Sequence, residues 1–210
     1  MNETINTILN RKSIRKFAFE PVPEEDLHLI LKAGQWAPSG SNQQPWRFLI
    51  IRNIATILDL ADLIMENFEI MVGEIKEESS RNQLENYRKY LDVIRSAPLV
   101  ICVLAKPYES FLKKYAESHQ TQKKWNMVDV YPATLSIGAA IENMLLAAHS
   151  LGYGSCWMTG PLIFQSEIEK FLQVEQPYHI VSMVPFGKSI SNKPEQRYRL
   201  PLKDICTFWD

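Results

Sequence analysis

Residues 27–51, LHLILKAGQWAPSGSNQQPWRFLII, place a helix, a turn-rich loop and a strand in immediate succession. Apolar residues at helical spacing open the stretch, and the helix must end before Pro38 because a residue that precedes proline resists the α conformation. The loop at 38–45 (PSGSNQQP) leads into the apolar run at 46–51, which predicts a buried strand. Helices and strands are therefore expected to share one core.

Outside this stretch, helices of uneven length alternate with a few short strands, which favours an α+β fold over a regular βαβ array. The charged segment 76–95 lacks Gly and Pro, and we expect it to be an exposed helix. The segment 137–148 is apolar on most sides, which predicts burial in a core or a subunit interface, with Gly152 as its C-terminal stop. Further helices are expected at 2–10, 54–75 and 166–171, and further strands at 98–105, 155–158 and 178–184.

The composition limits the class of protein. A chain of 210 residues predicts one domain over 1–210. It has 23 Lys+Arg against 24 Asp+Glu, so its net charge is −1, which argues against a basic nucleic-acid-binding surface and against an acidic disordered chain. A site for an anion must therefore be built locally, from a few placed cations.

Cysteine usage and hydropathy predict a cytoplasmic protein without a membrane partner. The three cysteines form no C-x-x-C pair, and the four histidines have no ligand spacing, so neither a disulfide framework nor a metal site is expected. The N-terminal stretch lacks the apolar core of a signal peptide. The longest strongly apolar run, 98–105, is far shorter than the ~20 residues that span a bilayer.

Two segments resemble nucleotide-binding motifs, but each lacks a glycine that its motif requires. The sequence Gly-Lys-Ser at 187–189 would end a P-loop, yet position 182, where its first glycine belongs, is Ser182. Gly-Tyr-Gly at 152–154 lacks the third glycine of a dinucleotide fingerprint, because that position is Trp157. Neither motif therefore predicts a phosphate cradle.

A short cationic segment, RKSIRKF at 11–17, has two interpretations. It can be the basic last turn of the first helix, where the helix dipole favours positive charge. It can also clamp a phosphate, because Arg offers a planar pair of donors and Ser a hydroxyl. Arg197 and Arg199 form a second basic pair that could converge on the same anion.

The loop at 38–45 also has two interpretations. Its glycine, hydroxyls and amides suit the polar edge of a flat heterocycle, which needs donors and acceptors in its plane. Pro38, Trp46 and Trp157 are candidates to pack on the face of such a ring. The alternative is an ordinary connection between a helix and a strand.

Four segments, taken together, resemble the nitroreductase family of FMN-dependent NAD(P)H oxidoreductases. They are 11–17, 27–51, IGAAIENMLLAAHSLGYGSCWMTGP at 137–161, and VPFGK at 184–188 with RYRLPL at 197–202. The resemblance implies an α-β-α sandwich with a central mixed or antiparallel sheet flanked by helices. It also implies an interlocked homodimer to which 137–148 contributes much of the interface, and a variable helical or lid region at about 66–129.

The resemblance further implies one FMN at each of two interface sites. The first basic segment would hold the phosphate and ribityl chain, with Arg15 toward the ribityl chain or the N1/O2 edge of the ring. The partner subunit's loop would approach the ring, the segment after Trp157 would face the edge that includes N5, and the late arginines would close on the phosphate. The implied cofactor-binding residues are Arg11, Lys12, Ser13, Arg15, Pro38, Ser39, Gly40, Asn42, Met158, Thr159, Gly160, Arg197 and Arg199.

The function implied is hydride transfer from NADH or NADPH, through flavin N5, to a small aromatic, quinone or nitro acceptor. Because the flavin carries the chemistry, no protein side chain is expected to act as a catalytic acid or base. One pocket shared by donor and acceptor predicts ping-pong kinetics. The alternatives are other flavin chemistry on the same scaffold (reductive dehalogenation or flavin fragmentation), a non-enzymatic FMN-binding protein, and an anion-binding domain without flavin.

Overall fold

The computed structural model describes residues 2–119, 132–190 and 198–209, and within them the chain builds one antiparallel sheet with helices on both faces. The strands follow the order β1-β2-β4-β3, so β2 and β4 are central. In register, Phe48 of β1 faces Val103 of β2, and Ile101 of β2 faces Val184 of β4. The strands are β1 (Trp46–Ile51), β2 (Leu99–Ala105), β3 (Gly154–Ser155) and β4 (His179–Gly187).

The helices flank this sheet and carry most of the connections. They are α1 (Glu3–Asn10), α2 (Glu24–Gln35), α3 (Ile54–Glu74), α4 (Glu78–Leu91), α5 (Phe111–Ser118), α6 (Pro132–Ser150), α7 (Gln165–Phe171) and α8 (Leu202–Ile205). Short 3₁₀ turns occur at Gly40–Asn42, Asp92–Ser96 and Gly160–Phe164.

Strand β2 divides the core into two layers because successive side chains point to opposite faces of a sheet. Ile101 and Val103 belong to the cluster formed with α2 and α6. Val100 and Cys102 belong to the cluster formed with α3 and α7 on the other face. The strand is buried on both faces, which explains why it is a continuous apolar run rather than an alternating one.

Most of the predicted elements are confirmed, and two boundaries have clear local causes. The Asn2 side chain caps α1 by accepting a hydrogen bond of 2.9 Å from the Thr4 N–H. Gly152 adopts φ +85° after α6, the left-handed conformation that glycine permits at a helix end. β1 spans the predicted residues, and β2 starts one residue later than predicted.

Two predictions were partly wrong. The segment 76–95 is not one exposed helix, because α4 ends at Leu91 and the 3₁₀ turn that follows buries Val93 and Ile94. The strand expected at 155–158 is only the two-residue β3, and Met158 then forms an isolated bridge with Met183. In both places, apolar residues reach the core through irregular backbone, for which periodicity carries no signal.

The residues of the apolar stripe of α6 pack with α2 and β2. Other residues of α6 are only partly buried, so a contribution of 137–148 to a subunit interface stays a prediction. The region 66–129 likewise includes β2, a central strand, so only part of it could act as a lid. None of the helices described is long and apolar enough to cross a membrane.

Candidate functional site

The basic segment after α1 docks on the sheet beside β3. The Ile14 N–H donates to the Ser155 carbonyl at 2.8 Å, and Ser13 forms a parallel bridge with Ser155. The approach is close, because a Cβ added at Gly154 would lie 2.6 Å from the Ile14 side chain. The segment that carries the cations is therefore held against β3.

Arg11 has a buried donor that the chain does not satisfy. Its side chain is 18% exposed, and its Nε lies 3.4 Å from Oε1 of Glu142 on α6, within ion-pair distance. This Nε is nevertheless buried without a hydrogen-bond partner. An unsatisfied buried donor is costly, which makes Arg11 a candidate to bind an external acceptor.

His149, in the last turn of α6, responds to the same cations. Burial lowers the pKa of its imidazole, and the positive charges of Arg11 and Lys12 lower that pKa further. A protonated imidazole is thus disfavoured beside this cluster. The positive charges of Arg11 and Lys12 would also favour a phosphate nearby.

The loop after β3 is held by its backbone. Met158 exchanges two hydrogen bonds with Met183, at 2.9 and 3.0 Å, and the Ser182 hydroxyl donates to the Met158 carbonyl at 3.2 Å. Thr159 is exposed, and Gly160 begins a 3₁₀ turn. Met158 is buried and both of its backbone groups are engaged, so its exposed neighbour Thr159 is the part that can meet a ligand.

Two tyrosines of α4 connect the basic segment with this loop. The Arg15 guanidinium lies 5.4 Å from the centre of the Tyr90 ring, and the rings of Tyr90 and Tyr87 are 5.4 Å apart. A Cβ added at Gly160 would lie 2.9 Å from the Tyr87 hydroxyl. No sequence motif marks either tyrosine, and their i, i+3 spacing on a polar helix is the only signal for them.

The loop at 38–45 holds a strained conformation. Ser41, Asn42 and Gln44 have φ of 51°, 52° and 45°, a region that costs a residue other than glycine about 1–3 kcal/mol. The Ser39 hydroxyl accepts from the Gln44 N–H at 3.0 Å inside the loop. Such strain persists where surrounding contacts fix the backbone, and it is common at binding sites.

Those surrounding contacts come from α6 and from the segment after β2. The Gly40 N–H donates to the Ser136 hydroxyl at 3.3 Å. The Gln43 side chain pairs with the Glu109 backbone, donating to its carbonyl at 2.6 Å and accepting from its N–H at 3.2 Å. The loop is therefore preformed in this chain.

The structure brings some of the predicted residues together and leaves others apart. Ser13 and Arg15 lie with Met158, Thr159 and Gly160 around β3 and α4. Arg11 and Lys12, in the same segment, lie beside α6, near Glu142 and His149. Pro38, Ser39, Gly40 and Asn42 form a second group, and the hydrogen bonds described for their loop do not reach the first group.

The structure also locates the tryptophans expected at the ring face and one of the two late arginines. Trp46 packs against the core, so it is less available to a ring than expected, whereas Trp157 is 41% exposed beside α6. Arg199 is exposed and donates to the Tyr198 carbonyl at 3.4 Å. Arg197 lies outside the described residues, so the convergence of both termini on one anion stays a prediction.

None of the three cysteines forms a disulfide. Cys102 and Cys156 are buried, and Cys206 is exposed. Burial raises the pKa of the Cys102 thiol to about 12. Among the described residues, no group of three or more His, Cys, Asp or Glu side chains could hold a metal ion.

Comparison with known proteins shows which family has this architecture. The model of the nitroreductase family matches residues 8–188, so the chain belongs to the nitroreductase family.

Among solved structures, the chain is similar to a BluB-like flavoprotein from Clostridium difficile 630, with 30% identity, a TM-score of 0.86 and full coverage of both chains. It is also similar to a nitroreductase with bound FMN from Bacteroides fragilis NCTC 9343, with 25% identity, a TM-score of 0.71 and full coverage of both chains.

Two curated relatives bear different names. The "Putative NAD(P)H nitroreductase YfhC" of Bacillus subtilis (strain 168) is 24% identical over 200 residues, which cover 95% of this chain and 91% of the relative. An iodotyrosine deiodinase of Thermotoga neapolitana is 26% identical over 198 residues, which cover 88% of each.

Proposed function

We propose that this chain is an FMN-dependent oxidoreductase that transfers hydride from NADH or NADPH to a small aromatic, quinone or nitro acceptor. The observation that carries the proposal is the buried Nε of Arg11, which lacks a hydrogen-bond partner at the edge of a cationic cluster. A phosphate oxygen would satisfy this donor, and Arg binds phosphate in a planar, charge-assisted geometry. The FMN in the similar B. fragilis structure supports this choice of cofactor.

The residues present fit that cofactor. Arg11, Lys12 and Ser13 would hold the phosphate and ribityl chain, while Arg15 would lie toward the ribityl chain or the N1/O2 edge. Met158, Thr159 and Gly160 would border the edge that includes N5. FMN supplies hydride acceptance and donation at N5 when it is bound, and the chain binds, orients and tunes it.

We propose a homodimer, because the loop at 38–42 is preformed but lies in a group separate from the cation cluster. The partner's copy of this loop would complete the site, and Arg199, with Arg197, would close on the phosphate. Large apolar side chains exposed on one protomer support a subunit contact: Trp36 is 77% exposed and Trp209 98%. We propose one domain over 1–210, in which the lid is confined to parts of 66–129 outside β2.

The test is the visible spectrum of the purified protein, before and after each nicotinamide is added without oxygen. A yellow protein that is bleached by NADH or NADPH and recoloured by a quinone supports the proposal. A yellow protein that neither nicotinamide bleaches would instead be a flavin-binding protein without this activity, and a colourless protein that ignores added FMN would have another ligand. Parallel lines in double-reciprocal plots would indicate that donor and acceptor use one pocket in turn.

Arg11→Ala tests the phosphate contact, with Arg52→Ala as a control. Hydrogen bonds to charged groups contribute about 1.5–3 kcal/mol, so Arg11→Ala should raise the FMN dissociation constant roughly tenfold or more. Arg52 pairs with Glu24 on the surface, and its loss should leave that constant unchanged. Equal FMN affinity in both variants would remove Arg11 from the site.

Reductive dehalogenation is the second candidate, and the similarity to iodotyrosine deiodinase supports it. It would appear as halide release from an iodophenol under anaerobic conditions with NAD(P)H. If quinone or nitro acceptors are reduced and no halide is released, the first proposal holds. Release of halide at a comparable rate would favour this alternative.

A further inference from the structure

Helix α4 presents tyrosines and a lysine beside the candidate cofactor site. Tyr87 and Tyr90 are 45% and 41% exposed, although each touches a residue of the site: Tyr87 meets Gly160, and Tyr90 meets Arg15. The ammonium of Lys89 lies 5.2 Å from the centre of the Tyr90 ring. We call Arg15, Tyr87, Lys89 and Tyr90 the α4 surface.

The two cations of the α4 surface have no acidic partner. Arg15 and Lys89 form no ion pair with any carboxylate among the residues described. The nearest acids along the helix are already engaged, because Glu85 accepts from Arg88 at 2.9 Å and Asp92 accepts from Arg95 at 2.7 Å. Two positive charges thus share one tyrosine ring without neutralisation.

Exposed aromatic rings beside an unpaired positive charge favour one class of ligand, a flat ring that carries a negative charge. Tyrosine rings contact flat aromatic molecules through their faces and edges. A cation beside them attracts a carboxylate or phenolate and gives no such attraction to a neutral substituent. A hydrophobic wall alone would not discriminate between these two kinds of ring.

We infer that the α4 surface recognises aromatic acceptors that carry a negatively charged substituent, with Lys89 as the charge-reading residue. The inference rests on the proposed function, since the acceptor must lie next to the flavin. Arg15 has a separate role toward the cofactor, so Lys89 is the cation that can be changed without altering a proposed FMN contact.

The experiment measures equilibrium binding to the oxidised FMN-loaded protein, which cannot reduce the probe. The probes are 4-nitrobenzoate and 4-nitrobenzyl alcohol, which differ in charge but little in size, and binding is followed by the change in the flavin spectrum. The wild type should bind the benzoate about threefold to fivefold more tightly, as expected for one exposed charge pair, and 0.5 M salt should erase that preference.

Lys89→Gln should abolish the preference by weakening benzoate binding while leaving the alcohol unchanged. Lys76→Gln is the matched control, because Lys76 is also exposed and precedes the first residue of α4, Glu78, which lies roughly 16 Å along the helix axis from Lys89. Tyr87→Leu should weaken both probes to a similar extent. FMN retention, measured by released flavin fluorescence, should equal that of the wild type in the Lys89 and Lys76 variants.

The possible results distinguish failure of this inference from failure of the proposed FMN-dependent function. Equal affinity for the two probes in the wild type, or a preference that survives Lys89→Gln, overturns the inference even if NAD(P)H bleaches the flavin. A protein that binds no FMN overturns both. A preference lost in Lys89→Gln and kept in Lys76→Gln supports the assignment of Lys89.

Discussion

At the scale of single residues, His149 is a sensor for the cation cluster. Its pKa is lowered by burial and by Arg11 and Lys12, so a phosphate that neutralises these cations should raise it. Titration of the histidine ring protons by NMR, with and without FMN, measures this shift. An unchanged His149 pKa with FMN bound would mean that the phosphate lies elsewhere.

The same lowered pKa affects stability. Below the ordinary histidine pKa of 6.5, the unfolded chain binds this proton more readily than the folded chain does. The contribution of His149 therefore destabilises the FMN-free protein as the pH falls below about 6.5, and His149→Gln should reduce this pH dependence. Denaturant unfolding at pH 7.5 and pH 5.5 provides the comparison.

Arg15 is the residue whose charge should tune the flavin. A cation near the N1/O2 edge favours the reduced form, so Arg15→Ala should lower the two-electron reduction potential by on the order of 20 mV, or weaken FMN binding. Arg47→Ala is the control. Arg47 is on β1, and its guanidinium likewise lies over a tyrosine ring, 4.7 Å from the centre of Tyr178. A potentiometric titration without either effect would exclude Arg15 from this role.

At the scale of elements, the docking of the basic segment on β3 depends on the absence of a side chain at Gly154. Gly154→Ala would place a Cβ 2.6 Å from Ile14, so the segment must shift, with an expected loss of about 1–3 kcal/mol in the free energy of unfolding. FMN affinity should decrease as well, because Arg11 and Ser13 move with the segment. Chemical denaturation and FMN titration measure the two effects.

Gly73→Ala is the control for that change. Gly73 lies in the last turn of α3, and a Cβ there meets nothing within 4 Å. The substitution should leave FMN affinity unchanged and stabilise the protein by up to about 1 kcal/mol, because alanine favours a helix. If Gly154→Ala behaves as Gly73→Ala does, the segment is not held by close packing.

Elements with a continuous local pattern could be predicted from the sequence. β1 and β2 are compact apolar runs next to prolines, and α6 repeats its apolar residues at helical spacing. The 3₁₀ turn at Asp92–Ser96 could not be predicted, because it buries neighbouring apolar residues without a helical period. Which apolar faces meet inside one chain is likewise decided by tertiary packing, so the sequence alone could not say which face of α6 enters the core.

The candidate site likewise contains residues that a sequence motif predicts and contacts that only tertiary packing creates. Motifs whose order along the chain is typical of a family predict Arg11, Ser13 and Gly160 as site residues. The contact between Gly160 and Tyr87 joins segments far apart in sequence, and only the docking of α4 creates it. The hydrogen bonds between Gln43 and Glu109 also join segments that are far apart in sequence, so no local pattern could predict them.

At the scale of the whole molecule, the last described segment lies exposed. Leu202, Phe208 and Trp209 are 74%, 82% and 98% exposed, an unusual amount of apolar surface for a monomer. If this segment packs on a second copy, the double substitution Phe208→Ser and Trp209→Ser should weaken the dimer by about tenfold or more. Sedimentation over a dilution series would detect monomers.

The control is Ile70→Ser, which removes an exposed apolar side chain from α3. It should leave the association unchanged. A wild type that remains monomeric at high concentration, or a double variant that dimerises as the wild type does, would contradict a role of this segment in assembly.

The distribution of thiols makes one position chemically distinct. Cys102 and Cys156 are enclosed, and the former keeps its proton at any ordinary pH, so electrophiles meet neither in the native state. Cys206 lies between Leu202 and Phe208, in the exposed segment. A maleimide dye or nitroxide would therefore mark a single copy of the natural polypeptide at one place, without any engineering.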